Sequence, residues 1–266
     1  MNDRKLLINL DTILLQLNPL VIAYSGGVDS SFLIYRASLV KGLKSTAVTI
    51  KTSYVPEREI SDAAVFCKNY GIEHHIIHIE FPEAIRNNPP DRCYLCKKYL
   101  FSRLMEFAGM NGYLFLADGS NADDLTSYRP GLKALAELGV RSPLAEAGLT
   151  KETIRKASKD AGLPTWDNPS MACLLTRLPY NVTITEKELK MVEEAESFLF
   201  ENGFYGTRVR IHGNIARLEC MPGFMEKFIS GPNREIIIKK MKDIGFRYIS
   251  LDLEGYRSGS MDPDLT

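Results

Sequence analysis

The chain has 266 residues, of which 45% are hydrophobic and 25% are charged, and its formal net charge at pH 7 is zero. This composition is typical of a soluble globular protein with one large domain or two modest ones. It argues against a membrane-spanning protein, since no apolar run could cross a bilayer, and against a protein whose overall charge attracts nucleic acid. Five cysteines do not indicate a disulfide framework, and the charged N-terminus lacks a signal-peptide core, so we expect a cytoplasmic location.

Strands and helices alternate through the first half of the chain. Short apolar runs predict strands, and apolar residues at helical spacing predict helices over 61–71 and 97–109. The strand segments are continuously apolar, as expected when both faces are covered, so they predict an α/β fold with a parallel, doubly wound sheet. The four predicted strands are 20–24, 44–50, 72–79 and 113–118.

A glycine turn follows the first predicted strand at once, and it reads Ser-Gly-Gly-Val-Asp-Ser over Ser25–Ser30. Its glycines can bring backbone N–H groups close to a phosphate, and the next helix adds its N-terminal amides and dipole. The turn lacks the lysine of a Walker A loop and the third glycine of a dinucleotide fingerprint. It is identified as the signature of the PP-loop ATP pyrophosphatases. The residues expected to contact ATP are Ser25, Gly26, Gly27, Asp29 and Ser30.

An acidic turn, Asp118–Asp124, follows the fourth predicted strand. Because ligands of doubly wound sheets bind at the carboxyl ends of the strands, we expect this turn beside the phosphate loop. Its oxygens suit a Mg²⁺ ion shared with a nucleotide, although an Asx-rich turn that caps a helix has the same composition. We expect Asp118 and Asn121 to contact ATP, and Asp123 and Asp124 to hold Mg²⁺.

Three cysteines lie in segments that read as loops. Cys93 and Cys96 form a C-x-x-C pair, and Cys173 lies far along the chain. This set fits three ligands of a four-iron cluster, part of a zinc site, or a redox pair with a separate nucleophile, and three unrelated thiols remain an alternative. Cys67 and Cys220 lie on apolar patterns, so we expect them in the core.

A second, smaller α+β domain is predicted in the C-terminal part. Thr185 and Glu188 form a capping box before an apolar helical stripe that Glu196 interrupts. Later elements are predicted strands at 207–211 and 216–220, a helix near 233–244 and a strand near 247–253. The predicted domain organisation is 1–178, 179–255 and a flexible tail over 256–266.

Arg208 and Arg210 lie on one face of the strand at 207–211. Two guanidinium groups on one face suit a phosphate or a carboxylate, and a solvated strand face is an equally good interpretation. His74, His75 and His78 lie in or beside the third predicted strand. We expect core or edge positions for them rather than metal ligation.

Several segments together resemble the LarE family of sulfur transferases, over about residues 18–253. The matching segments are 118–124, 128–131, 139–144, 148–151, 154–155, 162–164, Cys173–Leu174 with Arg177 close behind, 208–212 and 216–219. The resemblance implies a PP-loop ATP pyrophosphatase fold, which is adenine nucleotide alpha hydrolase-like, and a role in making the nickel-pincer nucleotide cofactor. It implies that ATP adenylates a carboxylate of a pyridinium dicarboxylate mononucleotide, that pyrophosphate leaves, and that sulfur then replaces AMP.

The resemblance also bears on the sulfur source. One branch of the family uses a single cysteine, at the position of Cys173, as a sacrificial donor and lacks the other two. Because Cys93 and Cys96 are present, the chain resembles the other branch, in which a 4Fe–4S cluster on three cysteines carries an extra sulfide. The family further implies that Arg208, Arg210 and Arg177 hold the substrate phosphate.

The resemblance implies a small-molecule nucleotide substrate and a homo-oligomer such as a hexamer. A cluster-dependent tRNA thiolase, an amide ligase that uses ammonia and a nucleotide-binding sensor remain alternatives. Zero net charge and the lack of terminal C-x-x-C pairs argue against the thiolase and against a nucleic-acid partner.

Overall fold

The computed structural model describes residues 2–126, 130–169, 171–257 and 259–261. Its internal contacts divide the chain into two compact units, one of residues 1–84 and 91–171 and one of residues 85–90 and 172–266. The domain boundaries expected after residues 178 and 255 stay predictions. None of the described helices is both long and apolar enough to cross a bilayer.

The first unit contains a parallel four-stranded sheet with the strand order β3-β2-β1-β4. The predictions of a parallel sheet and of four strands in the first half are confirmed, with small differences at the strand ends. The three histidines lie on β3, which is an edge strand, as expected. The strands are β1 Leu20–Ala23, β2 Ser45–Lys51, β3 His74–His78 and β4 Phe115–Ala117.

Both faces of this sheet are covered, as the continuous apolar runs predict. Successive side chains of a strand point to opposite faces. Accordingly, Leu20 and Ile22 of β1 pack in one buried cluster with helices on one side, whereas Val21 packs in another cluster on the opposite side. In the described part of the unit the helices are α1 Asn2–Gln16, α2 Val28–Leu39, α3 Glu57–Asn69, α4 Arg92–Met110, α5 Pro130–Glu137, α6 Pro143–Glu146 and α7 Lys151–Asp160.

The strand order has a topological switch between β1 and β4. From β1 the chain builds outward through β2 to β3, and it then returns to add β4 on the other side of β1. In doubly wound sheets the ligand binds at such a point, outside the carboxyl ends of the strands. The two turns that leave β1 and β4 therefore define the candidate site.

The helix α4 begins earlier than the sequence predicts, and this corrects the placement of two cysteines. The sequence predicts a helix over 97–109 and a loop at Cys93 and Cys96, whereas α4 covers Arg92–Met110 and contains both cysteines. The prediction followed the apolar stripe alone. It missed that the loop ends at Pro90, directly before Asp91 at the helix N-cap position.

The second unit is the small α+β fold that the sequence indicates. Its sheet has the order β5-β6-β7, with β5 and β6 antiparallel and β6 and β7 parallel. The predicted capping box of Thr185 and Glu188 is present at the start of α8. The elements are α8 Glu186–Glu201, β5 Arg208–His212, β6 Ile215–Glu219, α9 Met225–Ile229, α10 Gly231–Ile244 and β7 Tyr248–Leu251.

The expectation of a flexible tail over 256–266 stays a prediction, and residues 258 and 262–266 lie outside the described part. In the described part, the Tyr256 amide donates to the Cys220 carbonyl at 2.9 Å and the Ser260 hydroxyl donates to Glu219 at 2.7 Å. Of the segments that carry the family resemblance, residues 128 and 129 also lie outside the description.

Candidate functional site

The turn between β1 and α2 is folded by its own serines. Ser25 Oγ lies 3.1 Å from Ser30 Oγ, and the Ser30 hydroxyl also reaches the Gly27 carbonyl at 3.2 Å. Gly26 has a φ of +79°, a conformation that costs a residue with a side chain about 1–2 kcal/mol. Gly27 is the N-cap residue and brings no side chain to the first amides of α2. These amides and the helix dipole suit an anion such as a phosphate.

The acidic turn after β4 is also held by its own polar groups. The buried Asp118 carboxylate accepts hydrogen bonds from the Ser120 amide and hydroxyl and from the Ser142 hydroxyl, the last at 2.7 Å. Asn121 Oδ1 accepts from the amides of Asp123 and Asp124 at 3.0 and 3.2 Å. These bonds give the turn a defined shape, and the ATP contacts of Asp118 and Asn121 stay predictions.

The two turns are in direct contact, as their positions in the predicted sheet require. Gly119 packs on the first turn of α2, where a Cβ atom added to it would lie 3.0 Å from the Ser30 amide nitrogen and 3.1 Å from its Cα. The obstacle is backbone, which cannot swing away as a flexible side chain can. A glycine is therefore required where the acidic turn meets the phosphate loop.

We expect Gly119→Ala to weaken ATP binding, because its methyl group displaces the loop and the first turn of α2. Overpacking of this kind costs about 1–3 kcal/mol of folding stability. Isothermal titration with ATP and a thermal melt measure the two effects. The matched control is Gly109→Ala, where the added methyl group meets nothing within 4 Å. Equal ATP affinity and equal melting temperature in both variants would contradict the close packing.

Two lysines lie among these carboxylates, and sequence reasoning missed both. Lys151 is the first residue of α7, and its Nζ lies 2.6 Å from Asp29 Oδ2 in the phosphate loop, while its amide donates to Asp123 at 2.8 Å. Lys97 Nζ lies 3.7 Å from Asp118 Oδ2. The signal that could have found Lys151 is Thr150, a helix N-cap residue that places the next residue at a helix start.

The other oxygen of Asp29 marks a place for a cation. Asp29 Oδ1 is buried and has no hydrogen-bond partner among the described residues. Such an oxygen is a suitable ligand for Mg²⁺, which prefers hard oxygen donors. Within the described ranges, however, no three Cys, His, Asp or Glu side chains are grouped so as to hold a metal ion. The Mg²⁺ roles of Asp123 and Asp124 stay predictions.

Cys93 and Cys96 lie within the first five residues of α4, three residues apart, so they share one helix face. Cys93 is exposed and Cys96 is half-buried, with its Sγ 3.2 Å from the Tyr54 hydroxyl. Two thiols on one face suit two ligands of one metal group or a redox pair. Cys67 and Cys220 are buried in the core as predicted, and burial raises the pKa of the Cys67 thiol to about 12.

Cys173 belongs to the second unit, where it directly precedes the 3-10 turn Leu174–Arg177. Its side chain is half-buried. Its carbonyl oxygen accepts from the Thr176 amide at 3.2 Å, from the Thr176 hydroxyl at 3.0 Å and from Arg177 Nη1 at 3.1 Å. The main chain of Cys173 is thus tightly held, and the convergence of its thiol with those of α4 stays a prediction.

The three predicted phosphate-binding arginines all lie in the second unit and bond to groups of that unit. Arg210 is buried and donates to the Thr176 carbonyl at 2.7 Å and to Glu219 at 2.9 Å. Arg208 is less deeply placed, with Nη1 3.6 Å from Glu196 Oε2. Arg177 is only 1% exposed. Their roles as phosphate ligands stay predictions.

Glu196 is the residue that interrupts the apolar stripe of α8, and its contacts explain why it is there. Burial by itself would raise the pKa of this carboxyl group, but Arg177, Arg208 and the Val209 amide outweigh burial and lower the pKa. Glu196 therefore stays ionised and serves as the counter-ion of Arg177 and Arg208.

No protein-family model matches the chain. It is 40% identical over 255 residues to an uncharacterised protein of Synechocystis, covering 94% of each chain. It is 34% identical over 253 residues to the pyridinium-3,5-bisthiocarboxylic acid mononucleotide synthase of Lactiplantibacillus plantarum, covering 94% of this chain and 91% of the synthase. A tRNA-specific 2-thiouridylase of Fusobacterium nucleatum is 33% identical, but over only 37% of this chain and 29% of its own.

Proposed function

Because the chain belongs to the LarE family, the family of pyridinium-3,5-bisthiocarboxylic acid mononucleotide synthase, we propose that it converts a carboxylate of a pyridinium dicarboxylate mononucleotide to a thiocarboxylate. The protein is an ATP-dependent sulfur transferase with a PP-loop fold. The observation that carries the proposal is that the synthase aligns over 91% of its length, so both units of this chain have counterparts in it. A thiolase that acts on tRNA aligns over a much smaller part.

The first step is adenylation. A carboxylate oxygen of the substrate attacks the α-phosphorus of ATP, and the bond to the bridging oxygen breaks so that pyrophosphate leaves. The amides of the loop at Ser25–Gly27 and the N-terminus of α2 hold the negative charge that develops on the leaving group. Asp29, through its buried Oδ1, and Asp123 and Asp124 of the acidic turn would hold a Mg²⁺ ion, whose charge would offset that of the phosphates.

Lys151 supports this assignment, because it is a cation at the point where the loop and the acidic turn meet. It pairs with Asp29 and is tied through its amide to Asp123. An ammonium group held at Asp29 of the phosphate loop, on a residue whose amide is fixed by Asp123, is well placed to bind the pyrophosphate when ATP is present. The second step is attack of a sulfur nucleophile on the acyl carbon, which expels AMP and leaves the thiocarboxylate.

For the sulfur source we propose a 4Fe–4S cluster held by Cys93, Cys96 and Cys173. The C-x-x-C pair on one face of α4 fits two of its ligands. When bound, such a cluster would supply sulfide for the second step. A second candidate is sacrificial donation from Cys173 itself. Sacrificial donation needs neither Cys93 nor Cys96, and it is favoured by the main chain of Cys173, which is held by hydrogen bonds from Thr176 and Arg177.

Exchange of labelled pyrophosphate into ATP, in the presence of the pyridinium dicarboxylate mononucleotide, tests the proposed activation. We expect exchange that depends on the nucleotide and a product whose mass shows oxygen replaced by sulfur. Exchange that depends on tRNA instead would overturn the proposed substrate.

Iron and acid-labile sulfide in anaerobically purified protein test the cluster, whereas loss of one H₂S equivalent from Cys173 after turnover supports the sacrificial route.

A further inference from the structure

The Arg177 side chain is the largest fully buried side chain in the described residues. Nη1 donates to the Ala172 carbonyl at 2.8 Å, to the Cys173 carbonyl at 3.1 Å and to the Thr176 hydroxyl at 2.8 Å. Nε and Nη2 donate to the two carboxylate oxygens of Glu196, each at 2.9 Å. The guanidinium group thus connects the backbone on either side of the Ala172–Cys173 peptide bond to helix α8.

The carboxylate that holds Arg177 is itself held. Glu196 Oε1 accepts from the Val209 amide at 3.0 Å, which ties the pair to β5. A bidentate pair between guanidinium and carboxylate fixes orientation as well as charge, because its two parallel hydrogen bonds allow one geometry. The orientation of the Cys173 main chain is therefore set by α8 and β5 rather than by the short turn alone.

We propose that Arg177 is a positioning residue for the Cys173 thiol and not a ligand of the substrate phosphate. This proposal rests on the proposed function only because that function gives Cys173 a role in sulfur transfer. The pair with Glu196 fixes the two carbonyl groups around Cys173, so that the half-buried thiol has one presentation to the incoming acyl adenylate. Arg177 is only 1% exposed, so its guanidinium group offers almost no surface to a phosphate.

Pyrophosphate exchange and thiocarboxylate formation, measured separately, distinguish a residue that positions Cys173 from one that binds the substrate phosphate. Arg177→Lys keeps the charge but loses the bidentate geometry, and Thr176→Val loses the hydroxyl that bonds both Arg177 and the Cys173 carbonyl. If Arg177 positions Cys173, both variants keep the wild-type KM for the mononucleotide in pyrophosphate exchange and form thiocarboxylate about tenfold more slowly. An increased KM in Arg177→Lys with normal product formation per adenylate would show a phosphate ligand and overturn the proposal.

If the wild-type protein shows no pyrophosphate exchange, the proposed function is refuted, but the positioning role of Arg177 is not. A chemical measurement of the Cys173 thiol then still tests that role. The full chain is treated with iodoacetamide in the presence of a chelator, and alkylation of Cys173 is compared with that of the exposed Cys93 by peptide mass spectrometry. We expect both variants to raise the ratio of the Cys173 rate to the Cys93 rate about fivefold, because local opening exposes the thiol. An unchanged ratio in Thr176→Val, a variant that removes no buried charge, would overturn the proposal.

Discussion

Cys173→Ala and Cys93→Ala should each abolish thiocarboxylate formation while leaving pyrophosphate exchange within about twofold of the wild-type rate. Adenylation needs the phosphate loop and the acidic turn, which contain neither cysteine, whereas sulfur transfer needs the nucleophile. Loss of a nucleophile or of a cluster ligand removes the second step altogether, so we expect a fall of more than about a thousandfold in product. Mass spectrometry of the product and the exchange assay measure the two steps separately.

The comparison between the two variants identifies the sulfur source. If Cys93→Ala still forms product and only Cys173→Ala fails, the donor is the Cys173 sulfur itself and the cluster proposal is wrong. If both fail and the iron content of both falls, the cluster is supported. The matched control is Cys67→Ala, because Cys67 is buried in the core of the first unit. This control should lower thermal stability and leave both half-reactions in place.

Lys151→Met should slow nucleotide-dependent pyrophosphate exchange by about 10²–10³-fold, which is the usual cost of removing one group that stabilises charge in a transition state. The ammonium group of Lys151 lies 2.6 Å from Asp29 in the phosphate loop, so its loss also leaves that carboxylate without its counter-ion. Lys151→Arg keeps the charge and should recover part of the rate. Steady-state exchange at varied ATP concentration measures the effect.

Lys156→Met is the matched control for this experiment. Lys156 lies on the same helix, is 64% exposed and pairs at the surface with Asp3, so its loss should change exchange by less than about twofold. Equal rates for the two variants would show that the charge of Lys151 has no part in the departure of pyrophosphate. A fall in ATP affinity alone, with an unchanged maximal exchange rate, would mean that Lys151 binds ATP equally in the ground and transition states.

The placement of the candidate site could be predicted because it depends on order along the chain. A strand that ends at the phosphate loop and a later strand that ends at the acidic turn must present both turns at one edge of a parallel sheet. The contact of Gly119 with Ser30 bears this out. The prediction was wrong for the surroundings of Cys93 and Cys96, because an apolar stripe marks the buried face of a helix and not its first turn.

Local signals in the sequence determined the elements of this protein, namely the glycine turn, the capping box and the apolar periodicities. They act over a few residues, and the structure reproduces them. Tertiary structure alone decided the ionic pairs, since Lys151 and Asp29 are 122 positions apart and Arg177 and Glu196 are 19 apart. Each pair depends on how helices and strands pack, and no local pattern specifies a partner at such distances. The chemistry of the phosphate loop could be predicted because its residues are adjacent in the sequence. The buried contacts that hold Cys173 could not be predicted, because they depend on how α8 and β5 pack.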